Sequence, residues 1–140
     1  MNNAENLNLN DLKVGTAREF LVTVDEDMVE RFANLSGDFN PLHMDEDYAK
    51  STRFQKRVVH GMLLASFFSR LVGMHLPGKK ALYLLQNLKF KNPAFIGDQL
   101  KVTGRVTSVS EQLKIITMET TILNSKGQTL VEGEAKVTIL

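Results

Sequence analysis

One stretch of this sequence restricts the fold more than any other. Residues 60–75, HGMLLASFFSRLVGMH, are apolar on nearly every side and carry one charge, at Arg70. A helix with that pattern has little solvent face and must be wrapped by other structure on most sides. It is too interrupted by His60, Ser66, Ser69 and Arg70 to supply the roughly 20 clean apolar residues of a membrane span. After Leu76-Pro77-Gly78 the apolar period changes to two and stays so to Leu140. Leu82, Leu84, Leu88 and Phe90 share parity, as do Leu100, Val102 and Val106, and later Val131, Ala135, Val137 and Ile139. Turns are expected at Asn92-Pro93, Ile96-Gly97-Asp98, Ser108 to Glu111 and Asn124 to Gly127. Four strands of meander after one buried helix predict an α+β fold, an antiparallel sheet curled around that helix.

Upstream, residues 17–24 (AREFLVTV) read as a strand with Phe20, Val22 and Val24 on one face. Asp25 stands where an N-cap should, and Met28, Val29, Phe32, Ala33 and Leu35 follow at helical spacing until Ser36-Gly37 stops them. An irregular segment is expected over Asp38 to His43, then a short helix from Asp45 to Lys50. Residues 1–10 are polar and Asn-rich, without the apolar run of a signal peptide, and are expected to be a frayed tail. Residues 11–140 then form one domain. A chain of 140 residues can bury roughly two-thirds of its surface without staples.

Composition removes several functions. There is no cysteine, hence no disulfide, thiolate nucleophile or thiolate zinc site, which fits a reducing, cytoplasmic setting. Lys+Arg 17 against Asp+Glu 16 leaves no basic excess of the kind nucleic acid attracts. There is no G-x-S-x-G elbow and no glycine loop for phosphate. Asp38-x-Asn40 opens like a calcium loop, but Leu42 takes the next ligand position. His43, Asp45 and Asp47 diverge at their spacing of two, so no metal site is expected.

The informative segment is Gly37-Asp38-Phe39-Asn40-Pro41-Leu42-His43. It sets a carboxylate and an imidazole close together in a stretch that Pro41 stiffens and that Phe39 and Leu42 can anchor. Such a pair can deprotonate an attacking water and return a proton elsewhere, because imidazole titrates near neutrality. Next, His60-Gly61 opens the buried helix, whose N-terminal N–H groups and dipole suit a developing oxyanion. Gly61 admits a carbonyl close to its N–H. Each feature also has an ordinary reading. An Asp after Gly is common turn chemistry, a lone His is often a satisfied packing residue, and serines within helices bond back to the backbone. His60 by itself reads as a capping or packing residue.

Taken together, SGDFNPLH (36–43), VVHGMLLAS (58–66) and YLLQNLKFKNPAFIGD (83–98) resemble the MaoC-like (R)-specific enoyl-CoA hydratases. These are hot-dog-fold enzymes with a D-x-N-P-x-H motif and an H-G-M at the start of the central helix. The resemblance covers nearly the whole chain. It implies Asp38 as the base that activates water, and His43 as a second holder of that water that relays its proton. It further implies Gly61 N–H as the binder of the thioester carbonyl, Asn40 as the organiser of the loop and Ser69 as a support from the helix. The implied reaction is syn hydration of a trans-2-enoyl thioester to the (R)-3-hydroxyacyl thioester, without metal or redox cofactor, coenzyme A being carried by the substrate. A homodimer is implied, with the substrate's arms along the subunit interface. An edge of the helix at Phe68 and Val72 is a candidate acyl pocket, and Arg53, Lys56, Arg57, Lys79 and Lys80 are candidates for the phosphates of coenzyme A.

Three rivals remain within this reading. A dehydratase acting on carrier-protein-bound 3-hydroxyacyl chains runs the same chemistry backwards. A thioesterase would need a carboxylate on the central helix, and none lies between Val58 and His75. A binding module without chemistry would bind saturated thioesters and leave unsaturated ones unchanged.

Overall fold

The computed structural model describes residues 3–140. After a 3₁₀ turn at Leu9–Asp11 come β1 (Ala17–Thr23), α1 (Glu26–Ser36), α2 (Pro41–Met44), α3 (Glu46–Lys50) and α4 (Gly61–Arg70). The strands β2 (Ala81–Gln86), β3 (Lys89–Phe90), β4 (Gln99–Ser110), β5 (Ile115–Asn124) and β6 (Thr129–Ile139) follow. Among the described residues they form one antiparallel sheet in the order β1-β4-β5-β6-β2, with β3 also on β6.

The period-two pattern sets which side faces the helix. Leu100, Val102 and Val106 on β4, with Ile116, Met118 and Ile122 on β5, are wholly buried. Leu63, Leu64 and Phe68 of α4 cluster with Leu100, Val102 and Ile122, while Val72 and Leu76 beyond it cluster with Val106, Ile116 and Met118. The buried segment stays α-helical only to Arg70 and then widens into a π turn, Leu71–His75. That turn drives Leu71 against β4 at Gly104, where a Cβ would lie 2.7 Å from the Leu71 side chain. A side chain at 104 would therefore hold helix and sheet apart.

Four expectations need correction. First, the covering of α4 expected on most sides extends over one face only: Met62, Ser66, Ser69 and Arg70 are exposed in the single chain. Second, Leu82 and Leu84 face outward. β2 is an edge strand whose pairing with β6 slips between Tyr83 and Leu85, and Ala81 and Tyr83 are the residues packed against the core. Third, β4 runs on through Ser110, so the turn falls at residues 111–114. Ser108 and Ser110, whose residue type suggested an earlier turn, are strand residues past a register shift between Val106 and Ser108.

Fourth, the tail expected over residues 1–10 is bonded to the body from Glu5 onward. Glu5 N–H donates to the Met74 carbonyl at 2.9 Å, Lys79 N–H to the Glu5 carbonyl at 2.7 Å, and Arg18 pairs with the Glu5 carboxylate at 3.1 Å. Met1 and Asn2 lie outside the described residues. No helix among the described residues is long and apolar enough to cross a membrane.

Candidate active site

The segment expected to be irregular is built as a ladder of side-chain-to-backbone bonds. Gly37 ends α1 in the left-handed region at φ 79°, which costs glycine little. Ser36 Oγ then accepts Asp38 N–H at 3.1 Å, Asp38 Oδ1 accepts Asn40 N–H at 3.1 Å, and Asn40 Oδ1 accepts Leu42 N–H at 2.9 Å. These are turns that Ser, Asp and Asn form with their own downstream backbone. The last of them caps α2, with Pro41 pre-set at its first position. The stretch expected to be loop throughout thus ends in one helical turn that carries His43. Polar turns anchor it rather than Phe39, which is 56% exposed; Leu42 is half-buried.

Asp38, His43 and His60 come together here. A carboxylate oxygen of Asp38 and ring nitrogens of the two histidines lie within 4.8 Å of one another. The hydrogen bonds fix both tautomers. His43 Nδ1–H donates to the Val58 carbonyl at 2.6 Å, which leaves Nε2 as the nitrogen with a lone pair. His60 Nε2–H donates to the Asp38 main-chain carbonyl at 3.0 Å. Its Nδ1 is buried without a partner, and the residue is 1% exposed.

Protonation of His60 would bury an N–H with no acceptor. Burial, ahead of the neighbouring charges, accordingly holds its pKa below the ordinary imidazole value. The neutral ring lies 4.1 Å from the His43 ring, centroid to centroid, with the edge of Phe32 on its other flank at 4.9 Å.

His43 and Gly61 share a cavity of about 300 Å³ with Phe54, Leu64, Phe90 and Ala94, and with Arg53 and Lys91. Gly61 begins α4, where the first N–H groups lack intrahelical partners. A Cβ at Gly61 would lie 2.9 Å from the Phe90 ring, so this helix start accepts no side chain without moving Phe90. Asp38 and Asn40 are not walls of the cavity; they flank the pair from the loop. A larger hollow of about 660 Å³ lies over Glu119, Glu132 and Glu134 on the sheet, contains no imidazole and shares no wall residue with this cavity.

Other expected residues fall elsewhere. Ser69 is exposed and lines a separate groove with Met62, Ala65, Ser66 and Tyr83, so α4 does not bring it to Asp38 and His43 within this chain. Phe68 and Val72 are each 1% exposed and belong to closed core. Leu64 is instead the α4 side chain that reaches the cavity. Of the cations, Arg53 is at the cavity wall, and Arg57 is committed to an ion pair with Glu26. Lys56 lies over the Phe95 ring. His60, expected as a capping or packing residue, does stand at the N-cap of α4 packed against Phe32, and it also bonds the main-chain carbonyl of Asp38; Phe90, not among the expected site residues, covers Gly61. The adjacency of His60 to Gly61 was the available signal for the first.

The cluster sets one carboxylate oxygen and a nitrogen of each imidazole close together, and each ring is oriented by a bond from one of its nitrogens to a main-chain carbonyl. A general acid/base pair steadied by a neutral imidazole is the chemistry this arrangement supports.

A hot-dog sheet over one helix, with Asp and His beside the helix start, defines an acid/base enzyme class. Residues 10–128 match the model of the MaoC like domain, and the chain belongs to that family. It is 50% identical over 109 residues to an (R)-specific enoyl-CoA hydratase of Aeromonas caviae, covering 78% of this chain and 81% of the relative. It is 43% identical over 129 residues to an (R)-specific enoyl-CoA hydratase of Rhodospirillum rubrum, covering 92% of this chain and 89% of the relative. The solved structure of the (R)-hydratase from A. caviae involved in PHA biosynthesis superposes with a TM-score of 0.90 at 44% identity, over 92% of this chain and 98% of that one.

Proposed function

We propose that this chain is an (R)-specific enoyl-CoA hydratase, a hydro-lyase that adds water to trans-2-enoyl-CoA. The observation that carries the reading is the Asp38–His43 pair beside the N-terminus of α4. His43 Nε2 and the Asp38 carboxylate share one water. As its oxygen attacks C3, one of its protons passes to the pair, and the pair delivers a proton to C2. The negative charge that develops on the thioester oxygen meets Gly61 N–H and the positive end of the helix dipole. Nothing is oxidised, and no cofactor is needed beyond the coenzyme A the substrate carries. Asn40 orders the turn from which His43 projects.

The reverse reaction, dehydration of a 3-hydroxyacyl thioester, uses the same groups; the identity to named hydratases favours hydration as the assignment. A homodimer working in the cytoplasm completes the reading. Its support is the apolar edge formed by Leu82, Leu84 and Leu85, which lies exposed in a single chain.

Loss of the conjugated thioester absorbance of crotonyl-CoA tests the assignment. Asp38→Asn and His43→Gln are each expected to lower kcat/KM by at least ~10²-fold while the fold survives. Near-normal turnover in either variant removes that residue from the chemistry. Binding without turnover, for every enoyl chain length and for carrier-bound substrates, would leave a binding module instead.

A further inference from the structure

Arg57 and Val58 hold His43 from two directions. The Val58 carbonyl takes the ring through Nδ1–H at 2.6 Å, while Arg57 Nε donates to the His43 main-chain carbonyl at 2.6 Å. Val58 N–H adds a bond to the Leu42 carbonyl at 3.2 Å. The other end of the guanidinium donates from Nη1 to Glu26 Oε1 at 2.5 Å, and the Arg57 side chain is only 10% exposed. This arginine is therefore poorly placed to meet a phosphate from solvent.

We propose that Arg57 is a positioning residue, a strut from the first turn of α1 to the main chain of His43 that sets where the imidazole stands over the cavity. The inference rests on the hydratase reading above. α2 is a single turn, far below the length at which a helix persists alone, and its last carbonyls have no partners within it. A guanidinium supplies that missing donor with charge-assisted strength and a fixed plane. Glu26 compensates the nearly buried cation, which would otherwise be costly to hold there. Displacing a reacting group by about 1 Å can cost on the order of 10² in rate, so an anchor on the main chain of His43 acts on kcat.

The test compares Arg57→Ala, Arg57→Lys and wild type on crotonyl-CoA, with nitrogen NMR of the His43 ring in the substrate-free protein. Arg57→Ala is expected to lower kcat by roughly 10- to 100-fold with KM within about twofold. Added guanidinium should restore part of the loss, and the His43 signals should move away from the Nδ1–H tautomer. Arg57→Lys, which keeps the charge without the fork, should fall between the two and carries the test if the alanine variant does not fold. A raised KM at unchanged kcat would make Arg57 a phosphate contact and overturn the proposal. So would a kcat loss that guanidinium does not recover, with His43 signals unmoved. If wild type itself proves inert, the hydratase reading fails, and the His43 signals alone still decide whether Arg57 positions the ring.

Discussion

At the scale of single residues, the site depends on two imidazoles in different states. His43 keeps a lone pair on Nε2, whereas His60 is sealed in and held neutral by burial. The second has a thermodynamic consequence. A histidine whose folded pKa lies below its unfolded value of about 6.5 takes up its proton more readily when unfolded. Between those two values the unfolded state binds more protons, so stability rises with pH and is lost as pH falls. Melting temperature should therefore drop as the wild type is taken from about pH 7 to about pH 5. In His60→Gln the drop should be smaller, since glutamine does not titrate; the difference between the two profiles isolates His60 from the carboxylates. Parallel profiles would show that His60 is not held neutral. That Asp38 and His43 matter was legible from their spacing and neighbours. The tautomers were not, because they depend on carbonyls at Val58 and at Asp38 itself that only the fold brings near.

Among the elements, α1, β1 and the buried helix were readable because each rests on local chemistry: Asp25 caps α1 by accepting Met28 N–H at 2.9 Å, and Gly37 ends it. The strand errors share a cause. β2 and β4 carry register shifts, and a bulge reverses the parity on which strand reading depends. Ser69 rested on the family resemblance alone, and Phe68 and Val72 on an apolar helical face that the π turn and the one-sided sheet make into closed core. Turn α2 lacked an apolar period and was marked only by Asn40-Pro41. Its cap now makes a definite expectation. Asn40→Ala should cost about 1 kcal/mol in urea denaturation, the usual effect of losing an N-cap. It should lower kcat more than it raises KM, because the turn it starts carries His43. Stability lost without any change in kcat would show that α2 holds its place through Arg57 and Val58 alone.

For the whole molecule, the open question is what covers the face the sheet leaves bare. Met62 on α4, Leu82 and Leu84 on β2 and Phe90 on β3 are each half or more exposed. β2 ends the sheet, with β6 on one side and no strand among the described residues on the other. A bare apolar edge strand invites uncontrolled pairing unless something occupies it. In the proposed homodimer a second copy does so, edge to edge, and shields the outer face of α4. Sedimentation equilibrium should then give twice the 15.7 kDa chain mass. Leu84→Asp, placed where the side chain is 51% exposed in the single chain, should shift the mass toward one copy while leaving the monomer's secondary structure intact. If the cavity beside Gly61 is completed by the partner, crotonyl-CoA turnover should fall with the dimer, and raising the variant's concentration should restore both together. A wild type that sediments as one chain would overturn the dimer. Full turnover in a monomeric Leu84→Asp would instead keep the dimer but confine the working site to one copy of the fold.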